Sequence, residues 1–166
     1  MTMSVWGPHG ATIIRVFDAP YQIYTRVRPG GNYGLLNTAT GRLFAAFMPA
    51  AIVEPILKQE LREAKKVDGK IVDLGAYRES LEAVRYNGCA TTRGLPVPGI
   101  GAISVPIFDV NDTLLAAVTA IGPERLIDDE EGSPQRDTML AFGRRMSLQL
   151  GAGQLRERGR QAPHKQ

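Results

Sequence analysis

The stretch 99–122 constrains this chain more than any other. Two largely apolar runs, 99–109 and 113–122, flank Asn111-Asp112, a dipeptide with turn chemistry. A two-residue turn there makes an antiparallel hairpin and dictates the partners. Ala102 falls opposite Ile121, Ser104 opposite Thr119, Pro106 opposite Ala117 and Phe108 opposite Leu115. The alternate face sets Gly101, Ile103, Val105 and Ile107 against Leu114, Ala116, Val118, Ala120 and Gly122. That second face is wholly apolar and belongs against helices. The first is small and mixed: Ala102, Ser104, Ala117 and Thr119, rimmed by Ile100, Phe108 and Ile121. Small side chains leave room over a sheet, and two hydroxyls in apolar surroundings are what a small-ligand cavity needs. The competing reading is an ordinary half-buried face whose hydroxyls bond locally or to water. A one-residue slip would exchange the two faces.

The remaining elements follow from period and punctuation. Strand-like runs at 2–6, 11–17 and 21–27 are rich in β-branched and aromatic residues, with Gly7-Pro8-His9-Gly10 and Asp18-Ala19-Pro20 as turns between them. The segment 28–34 reads as a loop. Thr38 is a good N-cap for a short helix carrying Leu43, Phe44 and Phe47, ended by Pro49. A second helix carries Ile52, Val53, Ile56, Leu57 and Leu61, with Pro55 expected in or near its first turn and Asp68-Gly69 closing it. A third runs from about Leu74 to Tyr86, with Asp73 as cap and Asn87-Gly88 as its stop. The last spans about 135–151 with the apolar stripe Met139, Phe142, Met146 and Leu150. Strands, then helices, then strands and a helix make an α+β chain with an antiparallel sheet and helices packed on it.

Several classes of function find no support. No run approaches about 18 apolar residues, so no membrane span is expected, and the start lacks the form of a signal peptide. The lone Cys89 excludes an internal disulfide framework. These features read as a cytoplasmic protein. No His, Cys and carboxylate cluster has metal-ligand spacing, and no phosphate-binding glycine loop is present, so neither a metal nor a cofactor is expected. Cys89 with His9 as its base is the one nucleophile pairing available. Nothing in their spacing joins them, so no catalytic residue is assigned. Asp128-Asp129-Glu130-Glu131 reads as a solvated loop. The net charge of +3 is concentrated in the tail, where Arg156, Arg158, Arg160, His164 and Lys165 face one acid, Glu157. Without the tail the chain is close to neutral and does not read as a nucleic-acid surface.

The start of the first helix adds a second candidate element. The N–H groups of Ala39, Thr40 and Gly41 lack intrahelical partners and sit at the positive end of the helix dipole. They can bond a carboxylate, and Gly41 would let it approach. Plain capping by Thr38 is the alternative.

Three segments resemble the IclR family of transcriptional regulators. Leu35-Leu36-Asn37-Thr38-Ala39-Thr40-Gly41-Arg42-Leu43-Phe44-Ala45-Ala46 is similar to its helix start. Gly99-Ile100-Gly101-Ala102-Ile103-Ser104-Val105-Pro106-Ile107-Phe108-Asp109 and Ala116-Ala117-Val118-Thr119-Ala120-Ile121-Gly122-Pro123 are similar to its two late strands. Ser4-Val5-Trp6-Gly7-Pro8-His9-Gly10 also resembles members, and the likeness runs over about 3–151. It implies a GAF-like effector-binding domain over 1–152, with a curved antiparallel sheet flanked by helices. It also implies an N-terminal winged helix-turn-helix that this chain lacks, while the basic tail over 153–166 reads from its charges as a disordered terminus, with a nucleic-acid contact as the alternative. The implied function is ligand sensing and self-association as a dimer or tetramer, not catalysis. The effector would be a small carboxylate or aromatic acid, and DNA would be met only through the missing domain. A GAF-like module that only oligomerises is the rival. The pocket so implied is Ala39, Thr40 and Gly41, then Thr92 from the loop after Gly88, then Ala102, Thr119 and Ile121, with Ser104 on the same hairpin face. Departures matter here. The loop Cys89-Ala90-Thr91-Thr92-Arg93-Gly94-Leu95-Pro96 lacks the family's usual acid, so Thr92 stands in its place. Ser104 replaces a common alanine and Ile121 a common serine. Arg93 is a candidate cationic partner for an acid.

Overall fold

A computed structural model describes residues 1–17, 27–68 and 72–153. The elements run β1 (Thr2–Gly7), β2 (Gly10–Val16), β3 (Asn32–Tyr33), α1 (Ala39–Phe47), α2 (Ala50–Asp68), α3 (Leu74–Asn87) and β4 (Ala90–Arg93). They continue with β5 (Ile100–Phe108), β6 (Leu114–Pro123), a 3₁₀ turn (Glu124–Leu126) and α4 (Pro134–Gln149). Six antiparallel strands form one curled sheet in the order β3-β2-β1-β6-β5-β4. Helices cover both of its faces, which makes the chain α+β as expected.

The β5–β6 hairpin has the expected register from Ile100 opposite Pro123 to Ile107 opposite Ala116. It departs at the tip. A bulge after Ile107 puts Phe108 opposite Leu114 rather than Leu115, and Leu115 is exposed. The connection is a three-residue loop, not a two-residue turn. The Asp109 carbonyl accepts from Asp112 N–H at 3.0 Å, Thr113 carbonyl accepts from Asp109 N–H at 2.9 Å, and Asp112 takes φ 57°. This is a type I turn closed by a left-handed residue, and that geometry adds the bulge. The Asp109 side chain caps it by accepting from the N–H groups of Asn111 and Thr113.

Two short strands went unread. Asn32–Tyr33 pairs with Ala11 and Thr12, although its segment reads as loop. The expected loop after Gly88 is the edge strand β4, pairing Ala90, Thr91, Thr92 and Arg93 with Ser104, Ile103, Ala102 and Gly101. Both are too short for a period to show. The run at 21–27 lies almost wholly outside the described residues, as does the tail from residue 154. Val27 itself is in no strand.

The apolar hairpin face packs against α4, where Ile103, Val105, Ile107, Ala116 and Val118 meet Met139, with Phe142 and Met146 beside them. Of the expected α4 stripe, Met139 is buried, Phe142 and Met146 pack partly and Leu150 is exposed; Gly143 and Ser147 complete the buried line. Gly143 explains the close approach. A Cβ there would lie 2.8 Å from the Pro106 carbonyl oxygen, so the helix backbone rides directly on β5. Ile127 likewise lies over the paired Gly101 and Gly122.

The mixed face lies under α1 and α3, in a core built on Leu35, Leu43, Phe44, Tyr77, Leu81 and Val84. In α2, Val53 is buried and Ile56 and Leu57 pack partly against this core, whereas Ile52 is exposed. Pro55 is the sixth residue of α2, just beyond its first turn. The carbonyl left without its N–H belongs to the exposed Ala51, near the helix start, so water can serve it.

Candidate functional site

The mixed face divides into a filled half and an open half. In the filled half α1 sits close on the sheet. Thr119 Oγ1 donates to Ser104 Oγ at 2.9 Å and lies 2.7 Å from Thr40 Oγ1. Each hydroxyl has one proton, so Thr40 is the donor to Thr119. Thr40, Thr119 and Ser104 are each at most 1% exposed. Local bonding of the hydroxyls, the competing reading of this face, therefore holds here. Ser104 serves packing and contributes nothing to the open space.

Gly41 has a different role from the one expected. Its N–H donates to Thr38 Oγ1 at 2.9 Å and is not free. A Cβ on it would lie 2.0 Å from the Gly34 carbonyl oxygen, so glycine is required for the loop before α1 to pass, not for a ligand to approach. Ala39 and Thr40, at the first two helical positions, have no N–H partner among the described residues.

In the open half a cavity of about 530 Å³ remains. That is within the roughly 300–1,000 Å³ usual for small-molecule sites. Ala39, Thr40, Thr92, Ala102, Thr119 and Ile121 all line it, so six of the eight expected residues come together. Thr92 reaches it because β4 pairs it directly with Ala102. Its residue is 5% exposed, yet Thr92 Oγ1 has no hydrogen-bond partner among the described residues. A buried hydroxyl left so costs about 1–3 kcal/mol, and a ligand atom would relieve it.

Sequence reasoning missed part of the lining. Leu95, Pro96, Val97 and Pro98 form one wall, Tyr33 another, and Ile100, which had been placed on the rim, lies inside. The available signal was Leu95-Pro96-Val97-Pro98 itself, apolar residues in a proline-rich stretch with no helix or strand period to bury them. Tyr33 is held by its hydroxyl, 3.1 Å from Thr2 Oγ1, and burial raises its pKa despite that bond.

No charged residue lines the cavity among those described. Arg93, the candidate cation, is not in the lining. Its Nε donates to Asp129 Oδ1 at 2.6 Å, and its Nη2 pairs with the same oxygen. Burial opposes ionisation of Asp129. Hydrogen bonds from Arg93 and Thr91 and the Arg93 charge outweigh that and hold its carboxyl below the usual range. Asp129 is thus part of an ion pair rather than of a solvated acidic loop. Cys89 is buried under α4, burial raises its thiol pKa, and His9 lies in the exposed β1–β2 turn. No group of potential metal ligands occurs among the described residues.

Residues 1–148 match the family described as bacterial transcriptional regulator IclR C-terminal. The chain belongs to this family. Among curated proteins, the IclR domain is 24% identical over 129 residues to the uncharacterized HTH-type transcriptional regulator RhmR of Escherichia coli (strain K12), covering 78% of this chain and 49% of that protein. It is 26% identical over 120 residues to the HTH-type transcriptional regulator BhcR of Paracoccus denitrificans (strain Pd 1222), covering 72% and 43%. The chain therefore spans about half the length of the curated relatives it matches, and these relatives are regulators, not enzymes. Among solved structures, Pseudomonas aeruginosa HmgR aligns with a TM-score of 0.82 at 32% identity, over 92% of this chain and 59% of that one. Thermotoga maritima IclR aligns at 0.75 and 26%, over 90% and 60%. The curled six-stranded sheet with its helices is thus the IclR C-terminal fold. No helix among the described residues is long and apolar enough to cross a membrane.

Proposed function

We propose that this IclR C-terminal domain senses a small organic acid. The acid's carboxylate would sit on the Ala39 and Thr40 N–H groups, where the helix dipole favours negative charge. Its body would lie over Ala102, Thr119 and Ile121, with a polar atom meeting the Thr92 hydroxyl. The observation that carries this reading is the unpartnered, buried Thr92 Oγ1 beside a cavity that also holds two unpaired backbone donors. Two separate elements supply these unsatisfied groups, and capping of α1 by Thr38, which serves Gly41 N–H, does not account for the Thr92 hydroxyl. In the longer regulator, binding would bias the placement of subunits and so of an N-terminal DNA-binding domain, which requires unequal affinities in the two states.

A domain that only oligomerises is the second reading. Exposed Tyr86, Leu148 and Leu150 near the groove between α3 and α4 favour self-association, as a dimer or tetramer, alongside sensing. A calorimetric and thermal-shift screen of small aliphatic and aromatic acids tests the first reading. A hit whose binding is abolished by Thr40→Trp is the expected result. No hit, or a hit indifferent to Thr40→Trp, defeats it.

A further inference from the structure

The turn that aims the α1 N-terminus is held by side chains from three helices. Glu60 of α2 accepts from Leu35 N–H at 2.9 Å through each carboxylate oxygen and from Leu36 N–H at 3.2 Å. Tyr77 of α3 donates to the Leu35 carbonyl at 3.1 Å. From α1, Arg42 Nε donates to the Leu36 carbonyl at 3.1 Å, and the capping Thr38 hydroxyl donates to the Gly34 carbonyl at 2.7 Å. The backbone of Gly34-Leu35-Leu36 is thus tied down group by group, and three residues later the chain presents the Ala39 and Thr40 N–H groups to the cavity.

We propose that Glu60 is a positioning residue for the effector site, tying α2 to the turn that aims the Ala39 and Thr40 N–H groups, so that cavity occupancy and α2 placement are coupled. This rests on the effector reading above. Glu60 is a poor choice for stability alone. Burial raises its carboxyl pKa, Glu63 adds to that, and the Leu35 and Leu36 N–H groups oppose it without cancelling it. A raised carboxyl pKa means the folded state favours the protonated form, so ionised Glu60 costs the fold free energy. A glutamine fills the same space without that cost, but it presents one acceptor oxygen instead of two.

The test uses the ¹⁵N-labelled chain, wild type and E60Q, with phenylacetate as probe. In the free protein, E60Q shifts and broadens the amide signals of Leu35, Leu36, Ala39 and Thr40, while those of α4 stay in place and the thermal midpoint is kept. Phenylacetate affinity falls about tenfold, the factor carried by about 1.4 kcal/mol of lost interaction. Acidification through the Glu60 titration moves the Ala39 and Thr40 signals in the wild type and not in E60Q. Of the groups facing Glu60, Glu63 on its own helix is controlled by Glu63→Gln, which keeps the response. Tyr77, pushed up to about 12 by burial and the Glu60 charge, does not titrate in that range. Wild-type protein that ignores phenylacetate counts against the effector reading alone. Ala39 and Thr40 signals in E60Q that match wild type, or unchanged phenylacetate affinity in E60Q, overturn the role of Glu60 alone.

Discussion

The two faces of the β5–β6 hairpin, one wholly apolar and one small and mixed, end in different states. On one, Ile103, Val105 and Val118 are closed over by α4, whose Gly143 lets backbone rest on backbone. On the other, α1 closes half the face through Thr40, Thr119 and Ser104, and the half near Ala102 and Ile121 stays open. Small side chains permit either a close helix or a cavity. Which one forms depends on how far the covering helix extends. Here α1 begins at Ala39, so its first turn ends over the face and leaves its own N–H groups at the edge of the space.

Substitutions should separate the faces, and the largest effect belongs to the packed one. Ile103→Ala removes a fully buried side chain, and chemical denaturation should show a loss of about 3 kcal/mol, or roughly 10 °C in midpoint. A smaller loss would mean the α4 face is not the dry core. Thr119→Val breaks both links of the hydroxyl chain and strands Ser104 and Thr40, for a loss of about 1–2 kcal/mol in the same assay. Thr92→Val, an isosteric change at an already unpartnered hydroxyl, should leave stability unchanged or raise it by up to about 1 kcal/mol while weakening acid binding. Destabilisation by Thr92→Val would show that the hydroxyl has a partner and would erase the contrast between the halves. The smallest effect lies at the rim. The folded pKa of Asp129 is lowered, so its stabilising contribution is present above the ordinary aspartate pKa and is lost as pH falls through the folded value. Asp129→Asn should flatten that acid limb in a melting-temperature profile, with little change at neutral pH because the Arg93 partner is exposed.

Much of this was legible in the residues. The register of the hairpin follows from its turn and its apolar alternation, and it held over eight pairs from Ile100 to Ile107. The caps at Thr38 and Asp73 and the left-handed stop at Gly88 were read from local chemistry and are present. The tip was misread because Asn111-Asp112 suits both a two-residue turn and the longer loop, and the choice rests on Asp109 capping two N–H groups. On α4 the expected Met139, Phe142 and Met146 do pack on the core, but Gly143 and Ser147 were missed because glycine and serine have no hydrophobic signature, although closeness of approach favours them. At the site, six of the expected residues line the cavity. Gly41 and Ser104 do not, because smallness serves tight packing as readily as ligand access. Arg93 points to Asp129 because that carboxylate lies near it in space, 36 residues away in sequence.

What the sequence alone determined is what local physics decides: the pairing within the β5–β6 hairpin, the helix starts and stops, and the face on which small and hydroxylated residues gather. Only the tertiary structure decided where that face is filled and where it is hollow. The difference depends on where α1 lies across the sheet, on the β4 edge bringing Thr92 alongside Ala102, and on Glu60 reaching from α2 to the turn before α1. These are contacts between elements distant in sequence, and no period or cap within one element carries that information.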